Sequence, residues 1–157
     1  MDEPSLLNAS RDKNLASYRL TILPTWGNAV AVRIQKQGQI YLVSSRRLSG
    51  EAGFKPGKLI EKRDFHLPQS DSIALENLIV SLRFFEMPET DDAKQSDGDE
   101  WVLEGVSGRR YHVIRRCCAG SLDTKGRGLE PFLTLCKFLI DHSQLSERPK
   151  DGQHELL

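Results

Sequence analysis

The sequence predicts an α+β fold: a two-layer sandwich in which a mainly antiparallel sheet of about six strands (ββββαββα) carries two helices on one face. Three observations predict it. Apolar and polar residues alternate with strand period within residues 17–67 and again within 101–117. Pairs that contain glycine separate neighbouring strands, as they do in hairpins. Two segments, 71–87 and 129–142, instead repeat apolar residues every three or four positions, which is typical of helices with one buried stripe.

The first four strands are predicted within residues 17–67. Gln37-Gly38 has the composition of a tight hairpin loop between the second and third strands. The third strand, 39–47, is apolar on both faces, so we expect it in the interior of the sheet. A long loop, 48–57, holds three glycines and a proline. The fourth strand, 58–67, is rich in charge and is expected at an edge, where lysines discourage unwanted pairing.

The two helices are predicted from their stripes and from residues typical of helix ends. Ser70 or Asp71 can cap the first helix, and Pro88 ends it. Pro131 lies in the first turn of the second helix, where proline is tolerated. The side chains expected to pack on the sheet are Leu78, Leu82, Phe132 and Leu139.

The chain length of 157 residues fits one domain. We assign residues 15–143 to a single α+β domain. Residues 1–14 are predicted to be a flexible N-terminal segment and residues 144–157 a flexible C-terminal tail, because both are polar and aperiodic. The acidic segment 89–100 is predicted to be a mobile loop for the same reason.

Composition limits the classes of function. Lys+Arg and Asp+Glu both number 22, so the basic excess of a typical nucleic-acid-binding protein is missing and such a partner is not expected. We expect no membrane span, because no apolar run has the necessary length, and no secretory signal, because residues 1–17 lack a basic region followed by an apolar stretch. An odd number of cysteines, two of them adjacent, favours a reducing compartment, and we expect the protein to be cytoplasmic.

Motifs for catalysis, cofactors or metals are not evident. Between Gly53 and Gly57 there are three residues where a P-loop has four, and Leu59 follows the lysine in place of Ser or Thr. The acidic residues before Gly98 do not follow the alternation of a calcium loop. No cysteine or histidine pair has zinc-site spacing. We therefore expect no cofactor, no metal and no catalytic constellation.

The segment WVLEGVSGRRYHVIRRCC (101–118) is predicted to be a hairpin around Ser107-Gly108. This turn would place Val106 opposite Arg109 and Glu104 opposite Tyr111. The more apolar face, expected to pack in the core, carries Trp101, Leu103, His112 and Ile114.

The other face of this hairpin has two interpretations. The charges could form cross-strand ion pairs on a solvated surface. They could also recognise a partner, because Tyr and Arg are enriched at protein interfaces. The residues that we predict to bind a partner are Tyr111, Arg109, Arg110, Arg115 and Glu104.

Three hypotheses of function follow, in order of preference. The first is a non-enzymatic protein-interaction module, similar to immunity or inhibitor proteins, that binds a protein partner through an exposed sheet face. The second is a small-ligand-binding protein or enzyme with a pocket near the 48–57 loop and Cys117, whose thiol has arginines beside it. The third, nucleic-acid binding through the arginines, ranks last because the acidic 89–100 loop adjoins the hairpin.

Two motifs, W-V-L-E-G-V-x-G-x-x-Y-H-V-x-x-R at 101–116 and L-S-G-x-x-G-F-x-P-G-K-L at 48–59, resemble those of an uncharacterised bacterial family of small soluble single-domain proteins. The resemblance extends over residues 18–142. It implies a bacterial source and one domain, and it carries no activity, cofactor or site residue.

Overall fold

The computed structural model describes residues 3–50, 55–91, 93, 98–120 and 123–146. The predicted α+β class is confirmed: one antiparallel sheet of six strands is combined with helices. The strands are β1 (Ala16–Leu23), β2 (Val30–Gln37), β3 (Ile40–Leu48), β4 (Leu59–Leu67), β5 (Glu100–Ser107) and β6 (Arg110–Cys117). The helices are α1 (Leu6–Ala9), α2 (Gln69–Ser81) and α3 (Glu130–Asp141), and a 3₁₀ turn covers Phe84–Glu86.

The strand order is β4-β3-β2-β1-β5-β6, and every neighbouring pair is antiparallel. The first strand therefore lies inside the sheet, with β2 on one side and β5 on the other. The predicted positions of β3 in the interior and of β4 at an edge are both confirmed. The hairpin of β5 and β6 forms the opposite side of the sheet, and β6 is the second edge.

Both predicted hairpin loops are displaced by one residue. Gln37 pairs with Ile40 and Ser107 with Arg110, so each loop begins at its glycine instead of ending there. Gly38 has a φ of 63° and Gly108 a φ of 59°. A type II′ turn has glycine at this first loop position because φ is positive there. The predicted residue pairs between β5 and β6 are therefore wrong, because each residue of β5 pairs with the residue two positions further along β6. The face of the sheet to which each side chain was assigned is not affected, because a shift of two residues preserves the alternation.

The core lies between the sheet and the helices α2 and α3. Leu75 and Ile79 of α2 are buried there, and so are Phe132, Leu135, Cys136 and Leu139 of α3. Trp101 and Ile114 face the same cluster, as the sequence predicted. Leu78 and Leu82, two of the four side chains expected on the sheet, are only partly buried against the edge of this core.

The first long helix is shorter than predicted. It ends at Ser81, not near residue 87, because Arg83 takes the left-handed conformation with a φ of 52°. The chain then turns Phe84 inward, where its side chain is fully buried. A Cβ atom on Gly105 would lie 2.3 Å from Phe84 Cε1, so the phenyl ring packs directly on the backbone of β5.

The segments outside the predicted domain also contact it. Leu6, the first residue of α1, is 1% exposed, and α1 lies close to β5. At the other end, the amide and hydroxyl of Ser146 donate hydrogen bonds to the Glu61 carboxylate. The flexibility of residues 1–14 and 144–157 stays a prediction, and residues 147–157 lie outside the described part of the chain, as do 92 and 94–97 of the predicted mobile loop.

Among the helices described, none is long and apolar enough to cross a membrane.

Candidate functional site

The predicted partner-binding residue Glu104 lies on the outer face of the sheet, the face turned away from α2 and α3. Its Oε2 accepts hydrogen bonds from Arg19 Nε at 3.0 Å and Nη2 at 2.6 Å. Its Oε1 accepts a third bond from the Tyr111 hydroxyl at 3.0 Å. The side chains of Arg19 and Glu104 are only 11% and 14% exposed. These two oxygens are thus occupied within the protein, in what we call the Glu104 network.

Tyr111 contributes to this network as a neutral donor. Burial, together with the negative charge of Glu104, raises the pKa of Tyr111 to about 12. The hydroxyl consequently remains protonated at neutral pH and continues to donate to the carboxylate. The hydroxyl of Tyr111, which we predicted to bind a partner, therefore donates to a carboxylate within the protein.

The N-terminal segment covers part of this network. Arg19 Nη1 donates to the carbonyl of Pro4 at 2.8 Å. Arg33 Nε lies 2.9 Å from the Glu3 carboxylate, which is itself 3.6 Å from Arg19. The middle of the outer face, which we expected to be exposed, is therefore occupied by residues from the start of the chain.

The three predicted arginines do not share one surface. Arg109 is exposed in the β5–β6 loop, and Arg115 is exposed on β6 with its Nε 3.9 Å from Glu100. Arg110 belongs to the opposite face, where its guanidinium lies over the Phe85 ring at 4.4 Å from the centroid. The structure therefore separates Arg110 from the other four predicted residues.

Arg110 lies at the mouth of a pocket of about 470 Å³ that we did not predict from the sequence. The pocket opens at one end of the sheet, between the strand ends and the C-terminal turn of α2, and we call it the strand-end pocket. Its lining residues come from β1, β2, β3, α2, the 3₁₀ turn, β5 and β6: Ala16, Tyr18, Lys36, Tyr41, Glu76, Ile79, Val80, Arg83, Phe84, Phe85, Glu86, Ser107 and Arg110.

Aromatic side chains form the inner wall of the strand-end pocket. Phe84 meets Tyr18 edge to face with ring centroids 5.9 Å apart, and it meets Phe85 in the same way at 4.9 Å. His112 supports them from the core side, at 5.4 Å from Phe84, and its Nε2 lies 2.8 Å from the carbonyl oxygen of Met87. The left-handed Arg83 makes this arrangement possible because it turns the two phenylalanines toward the sheet.

Charges at the pocket do not balance. Lys36 pairs with Glu76 at 3.0 Å, and Arg83 pairs with Glu86. Arg110 forms no ion pair with any described residue, and its contact is the face of Phe85. Three cations and two carboxylates thus leave one positive charge uncompensated, and that charge lies against an aromatic ring.

Hydrogen bonding also fixes the protonation states of the pocket. The Tyr41 hydroxyl donates to Glu76 Oε1 at 2.6 Å. This bond, together with the one from Lys36, lowers the pKa of Glu76. Burial raises the pKa of Tyr41 and that of Tyr18. At neutral pH the pocket therefore offers neutral phenols and an ionised carboxylate that is already bonded twice.

The alternative pocket predicted near the 48–57 loop and Cys117 differs from this one in place. Leu48 ends β3 and Cys117 ends β6, at the end of the sheet opposite the strand-end pocket. The strands β2, β1 and β5 separate them, which corresponds to about 19 Å at ~4.8 Å per strand. Residues 51–54 of that loop lie outside the described part of the chain. Within the described residues, no group of three or more His, Cys, Asp or Glu side chains is arranged to hold a metal ion.

No protein-family profile matches this chain, and a search of curated proteins found no match either.

Two signals in the sequence could have located the pocket. Gly105 stands alone within a strand, and such a glycine often marks a close approach of another group. Strand alternation also places Arg110 with His112 and Ile114 on the helix-facing side.

Proposed function

We propose that this protein is a non-enzymatic binding protein that holds a small amphipathic anion in the strand-end pocket. The single observation that supports the proposal most is Arg110, which carries the pocket's uncompensated positive charge and stacks on Phe85. An exposed cation gains little from an aromatic ring alone. With an anionic ligand, the same guanidinium would form charge-assisted hydrogen bonds in a fixed, planar geometry.

The volume and lining of the pocket suggest the class of ligand. A volume of about 470 Å³ is within the range of ~300–1,000 Å³ that is typical of small-molecule sites. Phe85, which is partly buried, and Val80, which is exposed, offer apolar surface for a flat apolar body, while Arg110 stands at the mouth for a carboxylate, sulfonate or phosphate. We therefore infer an aromatic or otherwise flat organic anion.

The chemistry of the lining residues favours binding over catalysis. Both carboxylates are held by cations, and Glu76 also accepts a hydrogen bond from Tyr41. General base catalysis requires an acceptor that can reach a substrate proton and whose pKa lies near the working pH. The lowered pKa of Glu76 moves it away from that requirement.

The test is a fluorescence titration with anilinonaphthalene sulfonate, an aromatic anion, and with phenylnaphthylamine, its uncharged analogue. Arg110→Gln should weaken binding of the anion about tenfold or more, since one charge-assisted hydrogen bond contributes ~1.5–3 kcal/mol. The same substitution should leave the affinity for the uncharged probe within about twofold, because the aromatic wall is intact.

Arg109→Gln is the matched control, because Arg109 is the neighbouring arginine and does not line the pocket. This variant should bind both probes as the unmodified protein does. Equal losses in the two variants would mean that the probe responds to total charge, and the proposal would fail. Near-UV circular dichroism must be unchanged throughout, because partly unfolded states also bind such probes.

A protein partner on the outer face remains a second proposal. It now relies on Arg109 and Arg115, which are exposed, since Glu104 and Tyr111 bond each other. A partner that co-elutes with the protein in size-exclusion chromatography should be lost with Arg115→Glu. It should be retained with Lys62→Glu, a matched change at the far edge strand β4. Retention in both variants would exclude this face.

A further inference from the structure

Cys117 and Cys118, at the end of β6, place their sulfur atoms unusually close together. The two Sγ atoms are 3.0 Å apart. Consecutive residues of a strand normally point to opposite faces, which would keep such thiols apart. The chemistry of this vicinal thiol pair is independent of the strand-end pocket, which lies at the other end of the sheet.

The backbone at Cys118 explains the close approach. Cys118 has a φ of 50°, in the left-handed region that residues with a Cβ atom rarely adopt. The strand alternation breaks there, and the second side chain turns toward the first. The Cys118 amide donates to the carbonyl of Asp99 at 2.7 Å, and this bond holds the conformation against the segment that leads into β5. Strained residues of this kind persist when their surroundings fix them, and they often occur at functional sites.

The surroundings of the pair are shaped for it. A Cβ atom on Gly98 would lie 2.0 Å from Cys118 Sγ, so the absence of a side chain at residue 98 makes room for the thiol. Arg127 Nη2 donates to the carbonyl of Cys117 at 2.8 Å, and its Nη1 lies 3.5 Å from that of Cys118. Asp91 in turn accepts two hydrogen bonds from Arg127, at 2.9 and 2.7 Å. Both peptide carbonyls of the pair are thus held by one anchored guanidinium.

We propose that Cys117 and Cys118 form an oxidation site at which hydrogen peroxide, or another hydroperoxide, converts the two thiols into a disulfide between adjacent residues. Adjacent Cα atoms are ~3.8 Å apart, closer than in ordinary disulfides, so the bond is strained and easily reduced again. The geometry thus points to a reversible modification and not to a structural cross-link.

The reaction balances in two steps. The Cys117 sulfur attacks the peroxide, an S–O bond forms, the O–O bond breaks, and water leaves with the thiol proton, giving a sulfenic acid. The Cys118 sulfur then attacks the oxidised sulfur, an S–S bond forms, and the S–O bond breaks. The departing hydroxide takes the Cys118 proton and leaves as a second water. The two electrons removed from the thiols reduce one peroxide.

The roles of the two cysteines follow from their exposure. Cys117 is half-buried, whereas Cys118 is 3% exposed, so peroxide reaches Cys117 first. Burial raises the pKa of Cys118 to about 12, so this thiol stays protonated and does not compete with Cys117 for the peroxide.

The test is mass spectrometry of the folded protein after brief treatment with hydrogen peroxide. Trypsin releases residues 117–125 as a peptide that holds both cysteines and separates them from Cys136. We expect this peptide to lose two hydrogen atoms, and millimolar glutathione should restore its mass. Cys136→Ala, the matched control, should show the same loss because Cys136 is buried in the core.

Cys117→Ser and Cys118→Ser should each abolish the loss of two hydrogens. In Cys118→Ser, Cys117 should instead gain oxygen, since no second thiol is in reach. A peptide 117–125 that gains oxygen in the unsubstituted protein without losing two hydrogens would overturn the proposal. So would a chain dimer joined through Cys117, or a loss of two hydrogens that persists in Cys118→Ser. If either serine variant fails to fold, the proposal is tested by whether peptide 117–125 loses two hydrogens in the unsubstituted protein and in Cys136→Ala.

Discussion

The Glu104 network and the strand-end pocket are built from the same kinds of residue, yet they differ in how their charges are partnered. Glu104 accepts three hydrogen bonds, from Arg19 and Tyr111, beneath the N-terminal segment. Arg110 has a phenyl ring as its neighbour and forms no ion pair with a described residue. The comparison indicates that an arginine beside an aromatic ring points to a ligand site only where no carboxylate of the protein pairs with that arginine.

The same difference separates stability from binding in the two regions. Residues of the Glu104 network have little exposed surface and satisfy each other, so removing one leaves buried polar groups unpaired. Arg110 can be replaced without leaving an internal partner unpaired. We therefore expect changes in the network to affect unfolding, and changes at the pocket mouth to affect ligand affinity.

The largest effect on stability is expected at the inner wall of the pocket, where it joins the core. Phe84→Ala should lower the free energy of unfolding by ~3–5 kcal/mol, because a fully buried ring is replaced by a cavity over Gly105. Urea denaturation followed by circular dichroism measures it. Phe85→Ala is the comparison, and its loss should be smaller because Phe85 is only partly buried. An equal loss for both would show that the wall is not part of the core.

A smaller loss is expected in the Glu104 network. Glu104→Ala should lower the free energy of unfolding by ~1–3 kcal/mol, since Arg19 and Tyr111 both lose their acceptor. Glu100→Ala, on the same strand but with its side chain 46% exposed, should cost less than ~1 kcal/mol. If the two variants unfolded at the same urea concentration, the network would not be structural.

The fold could be predicted from sequence because its periodicity is local. Alternation in 17–67 and 101–117 places each strand, and the apolar stripe of α3 places that helix. The first hairpin loop was predicted one residue away from its observed position, because Gln37-Gly38 and Gly38-Gln39 are both acceptable two-residue loops by composition. Their difference lies in which residue takes positive φ. The end of α2 was not predicted because Arg83 adopts the left-handed conformation, and an arginine in the sequence does not indicate a positive φ.

The site was harder to predict because its parts are distant in the chain. The strand-end pocket joins residues from Ala16 to Arg110, and only the strand order brings them together. Glu104 and Tyr111 were chosen for their chemistry, but the position of their partner Arg19 depends on β1 lying beside β5. Arg110 was chosen as part of a cluster, and its separation from that cluster depends on which face of β6 it occupies.

An effect of less than about 1 kcal/mol is expected from pH at the pocket, because the Glu76 side chain is 48% exposed. Its lowered pKa means that the folded protein binds this proton less tightly than the unfolded chain does. Glu76 therefore contributes stability above the ordinary value of 4.5, and this contribution is lost as the pH falls through the lowered pKa.

Urea unfolding at several pH values, from neutral down into this acidic range, should give a flatter dependence in Glu76→Gln than in the unmodified protein. Tyr41→Phe should flatten it too, since the hydrogen bond from Tyr41 is the largest cause of the shift. Unchanged slopes in both variants would mean that Glu76 does not form these bonds in solution.

The smallest effect on stability is expected at the pocket mouth. Arg110→Gln and Arg109→Gln should each change the free energy of unfolding by less than ~0.5 kcal/mol, because neither arginine forms an ion pair with a described residue. Thermal unfolding measures both. A large loss in Arg110→Gln alone would indicate a structural role for its contact with Phe85.

Binding of an aromatic anion in the strand-end pocket is tested most sharply by a nuclear magnetic resonance titration of the isotope-labelled protein with anilinonaphthalene sulfonate. Saturable shifts of backbone amides should be confined to the strand-end pocket, above all Phe84, Phe85, Ser107 and Arg110. Val113 and Arg115 on the outer face should not respond. Shifts centred on the outer face, or none that saturate at the pocket, would show that the strand-end pocket is not the binding site.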